Sequence, residues 1–414
     1  MKMINLSLIA LLTSLLFGSC RQPGPFSPDP PIVDQDTVFE LVWATRMNYE
    51  REIVNLSNGI SYNDWFLYPG DLDEPPTIMA FNKDTGEKDW ELLLEHLPGR
   101  EIDYMFRSGD ILLARNGHLV FAIDLEFREL LWSKDLKSIG MRLGTTHLAS
   151  NGNLYHEADF GWQSGFQVQH LFEFDVLTGD YRIVYSNSQD SLGTKSISPP
   201  GYAELDETDM LIFNEFPNAD SPPEQATQNL VAIDLDSEEV LWRTEDFTEY
   251  FYSNSLHPPI VYDNRIVITG GDWSIYAFDV QTGARLWRYE FDYPWAIWAN
   301  TNHLIHENRL YVNNGQEDVT CLNPETGELI WNNPKGGPNC TDNMVYYEKE
   351  DLLVFTSWGY GSVMILDALT GETLHREHRF DNSSYNNDVV YDEERDMFFT
   401  STYKHAIGFR VRRP

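Results

Sequence analysis

The stretch YAFDVQTGARLW, Tyr276 to Trp287, decides the fold. Its first half continues an alternating run, Ser274 to Val280, that suits a β-strand, and the preceding run RIVITGG, Arg265 to Gly271, suits another. Between the strand and the final tryptophan, Asp279-Val-Gln-Thr-Gly283 supplies a tight turn in which glycine can take a positive φ. Working outward, the pattern recurs: IMAFNKDTGEKDW ends at Trp90, FAIDLEFRELLW at Trp132, FEFDVLTGDYRI at Ile183, VAIDLDSEEVLW at Trp242, TCLNPETGELIW at Trp331 and MILDALTGETLH at His375. The shared acid or amide positions are Asn82, Asp124, Asp175, Asp234, Asp279, Asn323 and Asp367, separated by 42, 51, 59, 45, 44 and 44 residues. A period near 44 fits four short strands per unit.

One four-stranded sheet of this kind exposes two apolar faces, so it must stack on its neighbours, and a closed ring covers every unit. The tryptophan ending each motif then lies between adjacent sheets. Its burial is expected to contribute roughly 2 to 3 kcal/mol and its truncation to cost about 3 to 5. Ile183 and His375 stand in its place in two units, where weaker contacts between blades are expected. The chain ends set the count. Asn387 to Val411 matches Asn343 to Asp367 at an offset of 44 residues and stops before a fourth strand, while Phe39-Glu-Leu-Val-Trp43 matches Gly327-Glu-Leu-Ile-Trp331, a fourth strand without the other three. The expectation is an all-β, eight-bladed β-propeller with tryptophan-docking repeats, closed by the N-terminal strand pairing with the C-terminal blade. Seven blades is the alternative, should the poorly marked first strands of blade 1 not form.

Composition narrows the partners. With 65 acidic and 29 basic residues the formal charge is -36, which repels phosphate backbones and anionic lipid headgroups, so nucleic acid is excluded as a partner. Hydrophobic residues make up 42% of the chain and there are 12 tryptophans, enough for a large core. The dense surface charge reads first as a device that keeps an exported protein soluble in salt.

Export is read from the first residues. Met1-Lys2 precede an apolar run from Ile4 to Phe17, followed by Gly18-Ser19-Cys20. Small residues before a cysteine resemble the lipobox of bacterial lipoproteins, which implies a signal peptide over 1-19, a lipidated Cys20 and an outer-membrane address on the periplasmic or cell-surface face. Residues 20-37 hold five prolines and no apolar periodicity. They are expected to form an extended tether that holds the propeller of 38-414 roughly 50 Å from the bilayer. Oxidising surroundings make Cys321 and Cys340 a pair to test. Cys321 falls late in a third strand and Cys340 in the loop entering blade 7, a separation that favours a buried thiol over a bridge.

The motif A-x-D-x-x-T-G-x-x-x-W, matched in full by Ala277, Asp279, Thr282, Gly283 and Trp287, resembles the tryptophan-docking repeat of the PQQ-like (pyrroloquinoline quinone) β-propellers. Arg128 and Glu238 replace the glycine in two repeats. The resemblance implies one of two branches: quinone-dependent alcohol and sugar dehydrogenases, or lipoproteins similar to BamB of the outer-membrane barrel assembly machinery. The dehydrogenase branch implies a bound calcium, a catalytic aspartate and commonly a vicinal disulfide. This chain has no Cys-Cys pair and no C-x-x-C-H, and Asp234-Leu-Asp-Ser-Glu238 is a degenerate acidic stretch in a turn. Neither PQQ nor calcium is therefore expected, and no catalytic residue is assigned.

Other constellations give no chemistry. His303 and His306, like His375 and His378, sit three apart in predicted strands and project to opposite faces, so neither pair chelates a metal. No G-x-S-x-G elbow or Walker loop occurs. What remains is a surface. Loops joining second to third strands and blade to blade emerge on one end of a propeller, and here they carry Trp273, Trp295, Trp298, Trp358, Tyr360 and Tyr403, with Asn302, Asn343 and Asn387 at the starts of three innermost strands. Aromatics beside amides suit a partner's peptide edge or a sugar face. The leading expectation is a non-enzymatic, lipid-anchored scaffold for an envelope protein, such as an outer-membrane barrel. A carbohydrate-binding propeller is the alternative, followed by a quinone enzyme.

Overall fold

The fold rests on one local device repeated around a ring. In the fifth blade, Asp279 Oδ1 accepts the Thr282 N–H at 2.8 Å and the Thr282 hydroxyl at 2.7 Å, while the Gly283 N–H donates to the Asp279 carbonyl at 2.9 Å with φ at 68°. The turn reverses strand Ser274–Asp279 into strand Arg285–Glu290, and a bulge between Ala277 and Phe278 brings Trp287 opposite Ala277. The same pairing sets Trp90 against Ala80, Trp132 against Ala122, Trp242 against Ala232, Trp331 against Cys321 and Trp43 against Gly408. A small residue there makes room for the indole. That requirement explains Cys321, a free thiol buried in the sixth blade and pushed up to about 12 by its burial.

The computed structural model describes residues 38–414 apart from 48–57, 71–74, 98–101, 103, 142–145, 160–168, 188–194, 218–226, 249–257, 271, 273, 292–302, 314–317, 338–342, 358–360, 379–380, 382, 384 and 386–387. Eight antiparallel sheets are present among them, seven of four strands and one of five. Blade 1, whose early strands were poorly marked in the sequence, forms fully from Ile60–Tyr62, Trp65–Pro69, Thr77–Asn82 and Lys88–Leu93. Blade 8 is built from both ends of the chain: Phe39–Arg46 lies antiparallel to His405–Val411, with Val390–Asp392 and Met397–Ser401 completing the sheet. Third strands such as Ser274–Asp279 are buried almost throughout, whereas outer strands such as Arg285–Glu290 alternate between half-buried and exposed, as expected when only one edge of each sheet faces water.

In five seams the outer tryptophan docks on the turn of the next blade. The indole N–H of Trp43 donates to Lys83 O at 2.8 Å, Trp132 to Val176 O, Trp242 to Val280 O and Trp287 to Pro324 O at 3.0 Å, and Trp331 to Ala368 O at 3.1 Å. The ring lies flat on the turn glycine of that blade. At Gly327, where φ is 73°, an added Cβ would come within 2.7 Å of Trp287 Cδ2. We therefore expect Gly327→Ala to cost about 2 to 4 kcal/mol by urea denaturation, from strain plus displacement of the ring. A neutral outcome would mean that the indole is not clamped. Trp43 is 8% exposed but the other docking tryptophans are only half-buried, so truncating them costs less than full burial implies.

The exceptions follow the same logic. Ile183 replaces tryptophan and is 37% exposed, and the next turn needs no glycine: Glu238 occupies that place at φ 59°. A polar bridge substitutes, with Arg182 Nε donating to Glu173 at 2.6 Å and its Nη1 reaching Glu238 at 3.1 Å. At His375 the contact takes another form. Blade 8 has no turn between its third and outer strands, because its outer strand is Phe39–Arg46, and His375 instead stacks on Phe39 of that strand at 5.3 Å and 4°. Blade 4 departs from the pattern in another way. Ser198-Pro199-Pro200 breaks its inner strand into Lys195–Ile197 and Gly201–Leu205, both paired to Thr208–Pro217, and at the break the Ser198 hydroxyl accepts the Asn214 N–H while the Ser198 N–H donates to the Asn214 carbonyl.

Candidate functional site

Loops between second and third strands and between blades leave the ring at one end, and the described part of that end is best defined over blades 7 and 8. Asn343 precedes the inner strand Val345–Tyr347. Both its backbone N–H and its side-chain amide donate to the Asp388 carboxylate, each at 2.6 Å. This amide is thus committed to joining two inner strands. Tyr403 sits half-buried in the turn between Met397–Ser401 and His405–Val411. Trp273, Trp295, Trp298, Asn302, Trp358, Tyr360 and Asn387 lie outside the described residues, as do Cys20 and Cys340.

Beside Tyr403, Asp381 gathers four donors. Ser383 gives its N–H at 2.9 Å and its hydroxyl at 2.6 Å, Thr402 its hydroxyl at 2.5 Å, and His405 its Nδ1 at 2.6 Å. A carboxylate can only accept, so His405 carries its proton on Nδ1. Burial acts to raise the Asp381 pKa, but the hydrogen bonds from His405, Ser383 and Thr402 prevail and hold it down to about 2. The pair is oriented like an acid–histidine couple, and the Ser383 hydroxyl binds the acid, so Asp381 ties the turn at Thr402 to the segment entering blade 8. Sequence reasoning missed this cluster because its members are 24 positions apart and follow no motif.

The sign of the pH effect follows. Because the folded pKa is depressed, the stabilisation is complete above the unfolded value of about 3.9 and disappears as pH falls from there through about 2. Its size is about 2 to 3 kcal/mol. The difference in unfolding free energy between the wild type and Asp381→Asn should therefore shrink between pH 4 and pH 2; a constant difference would refute the assignment.

His303 and His306 behave as separate groups. His303 Nε2 meets Thr269 Oγ1 at 2.6 Å, whereas His306 stacks on Tyr346 at 3.8 Å. Among the described residues no three His, Cys, Asp or Glu side chains stand close enough to hold a metal ion. Asp234 in the acidic turn accepts the Asp236 and Ser237 N–H groups at 2.9 Å, the role Asp279 plays in its own turn.

The family described as outer membrane protein assembly factor BamB matches residues 224–395. BamB from Moraxella catarrhalis aligns with a TM-score of 0.59 and 13% identity, over 90% of this chain and 100% of that one. The computationally designed Ika8 protein aligns at 0.62 and 12% identity, over 90% and 99% of the two chains. A europium-containing methanol dehydrogenase aligns at 0.64 and 9% identity, over 90% and 93%. No curated protein matches the sequence. Identities this low speak to fold alone, and together with the eight sheets and their docking repeats they establish it: the chain is an eight-bladed β-propeller.

Proposed function

We propose that this protein is a non-enzymatic envelope lipoprotein whose propeller acts as a protein-interaction scaffold, in the manner of outer-membrane assembly factors. The match of residues 224–395 to the BamB family carries the reading. It is supported by the use of the described polar groups over blades 7 and 8, where Asn343, Asp388, Asp381 and His405 hold loops in place. The aromatic positions Trp273, Trp295, Trp298, Trp358 and Tyr360, with Asn302 and Asn387, are the surface we assign to the partner, and Cys20 is the proposed anchor.

Crosslinking in intact envelopes followed by pull-down should capture an outer-membrane barrel, and radiolabelled palmitate should enter the wild type but not Cys20→Ser. Dye-linked alcohol oxidation after loading with quinone and calcium would overturn the scaffold in favour of the enzyme. Glycan capture lost in Trp298→Ala would overturn it in favour of a carbohydrate-binding propeller.

A further inference from the structure

The seam between blades 1 and 2 has a tryptophan but no glycine to receive it. Arg128 occupies the glycine position at φ 57°, and its guanidinium carbon stands 4.9 Å from the centre of the Trp90 ring and 5.2 Å from that of Trp65. The two indoles meet edge to face, at 78° with centroids 5.7 Å apart. Trp65 Nε1 donates to Asp89 Oδ2 at 2.9 Å, which fixes the ring and places a carboxylate at its margin. Trp90 Nε1, which in the docked seams would reach a turn carbonyl, is buried with no acceptor. Arg128 itself is exposed. In a chain with 65 acidic residues, no carboxylate among the described residues pairs with it, and the two rings are its only partners there.

Two aromatic faces at a wide angle with an acid beside them form a surface that attracts organic cations, through the ring quadrupoles and through contact with the weakly hydrated alkyl or guanidinium surface. We propose that Trp65, Trp90 and Asp89 form a binding site for a guanidinium or quaternary ammonium group, which Arg128 fills in the resting protein and which an incoming cation takes over. An exposed cation–π contact is weak, so Arg128 leaves readily. The apparent affinity for an external ligand is lowered only by the fraction of time that Arg128 is seated. The net charge of -36 favours the approach of such a ligand, whether free or carried on a basic segment of a partner. The site lies at the turn between third and outer strands and does not depend on the scaffold reading.

The test is a calorimetric titration of the full chain with tetramethylammonium chloride and with a short arginine-containing peptide, with potassium chloride as the ionic control. Arg128→Asn removes the occupant while keeping a residue that tolerates positive φ. It should tighten both probes about three- to sixfold. In that background Trp65→Ala should abolish binding, and Asp89→Asn, which leaves both rings in place, should weaken it several-fold. Equal affinities for tetramethylammonium and the peptide would point to a free cation, and a peptide preference of tenfold or more to a partner's side chain. No tightening in Arg128→Asn, or potassium binding as well as tetramethylammonium, would overturn the site.

Discussion

Asp392→Ala should lower the stability of the propeller by about 3 to 5 kcal/mol, read as a shift of the urea midpoint at constant slope. Asp392 ends the inner strand of blade 8, and its carboxylate receives Lys83 Nζ of blade 1 at 2.5 Å, with the two side chains 8% and 2% exposed. The ammonium also donates to Asn63 O at 2.6 Å, so it is held inside the seam and cannot swing into water. Removing the acid leaves a buried charge with no counterion, which costs far more than the pair contributes. The neighbouring Arg395 offers no relief, because it is a second cation, held by Asp64 and Asp84 as well as Asp392. Replacing both partners, as Lys83→Met with Asp392→Leu, should restore most of the loss. A single variant as stable as the wild type would show that water reaches Lys83. Burial raises the Asp392 pKa, but Lys83 and Arg395 more than offset this and leave it lowered, so the pair is complete above the ordinary carboxylate range and fails as pH falls through the folded value.

The second large effect is expected at Trp43, where Trp43→Ala should cost about 3 to 5 kcal/mol and Trp43→Phe markedly less. This indole is 8% exposed, more buried than the equivalent rings at Trp242 and Trp287. It packs on Phe399 at 5.9 Å, rests on Gly86 and Gly408, and donates to Lys83 O at 2.8 Å. One residue, Lys83, therefore serves both contacts, with its carbonyl for Trp43 and its ammonium for Asp392. The double variant Trp43→Ala with Asp392→Ala should cost less than the sum of the two, with a coupling of about 0.5 to 3 kcal/mol in a double-mutant cycle. Strict additivity would mean that strand Phe39–Arg46 and the salt bridge close the ring independently.

The ring was legible from the repeat because its period and its turn glycine are local. Asp279, Gly283 and Trp287 each act within one hairpin, and Phe39 to Trp43 shows the outer-strand pattern before any partner is known. What acts across seams was not legible. Lys83 follows Asn82 in a polar turn and looks like a surface lysine until Asp392, 309 residues away, is brought against it. His375 looked like a defect because its partner, Phe39, is at the other end of the chain. Arg128 and Glu238 were visible as departures, but their different outcomes depend on whether the preceding blade presents Trp90 or Ile183. The split inner strand of blade 4 had a signal in Pro199-Pro200 that a strict 44-residue template passes over.

The pairing of Phe39–Arg46 with His405–Val411 also sets an order of events. The ribosome makes the outer strand of blade 8 first, and the chain must grow by more than three hundred residues before that strand has a neighbour. A nascent chain stopped short of residue 405 can stack its middle blades yet carries an unmatched strand at its head. The strand made early is thus among the last to find its place.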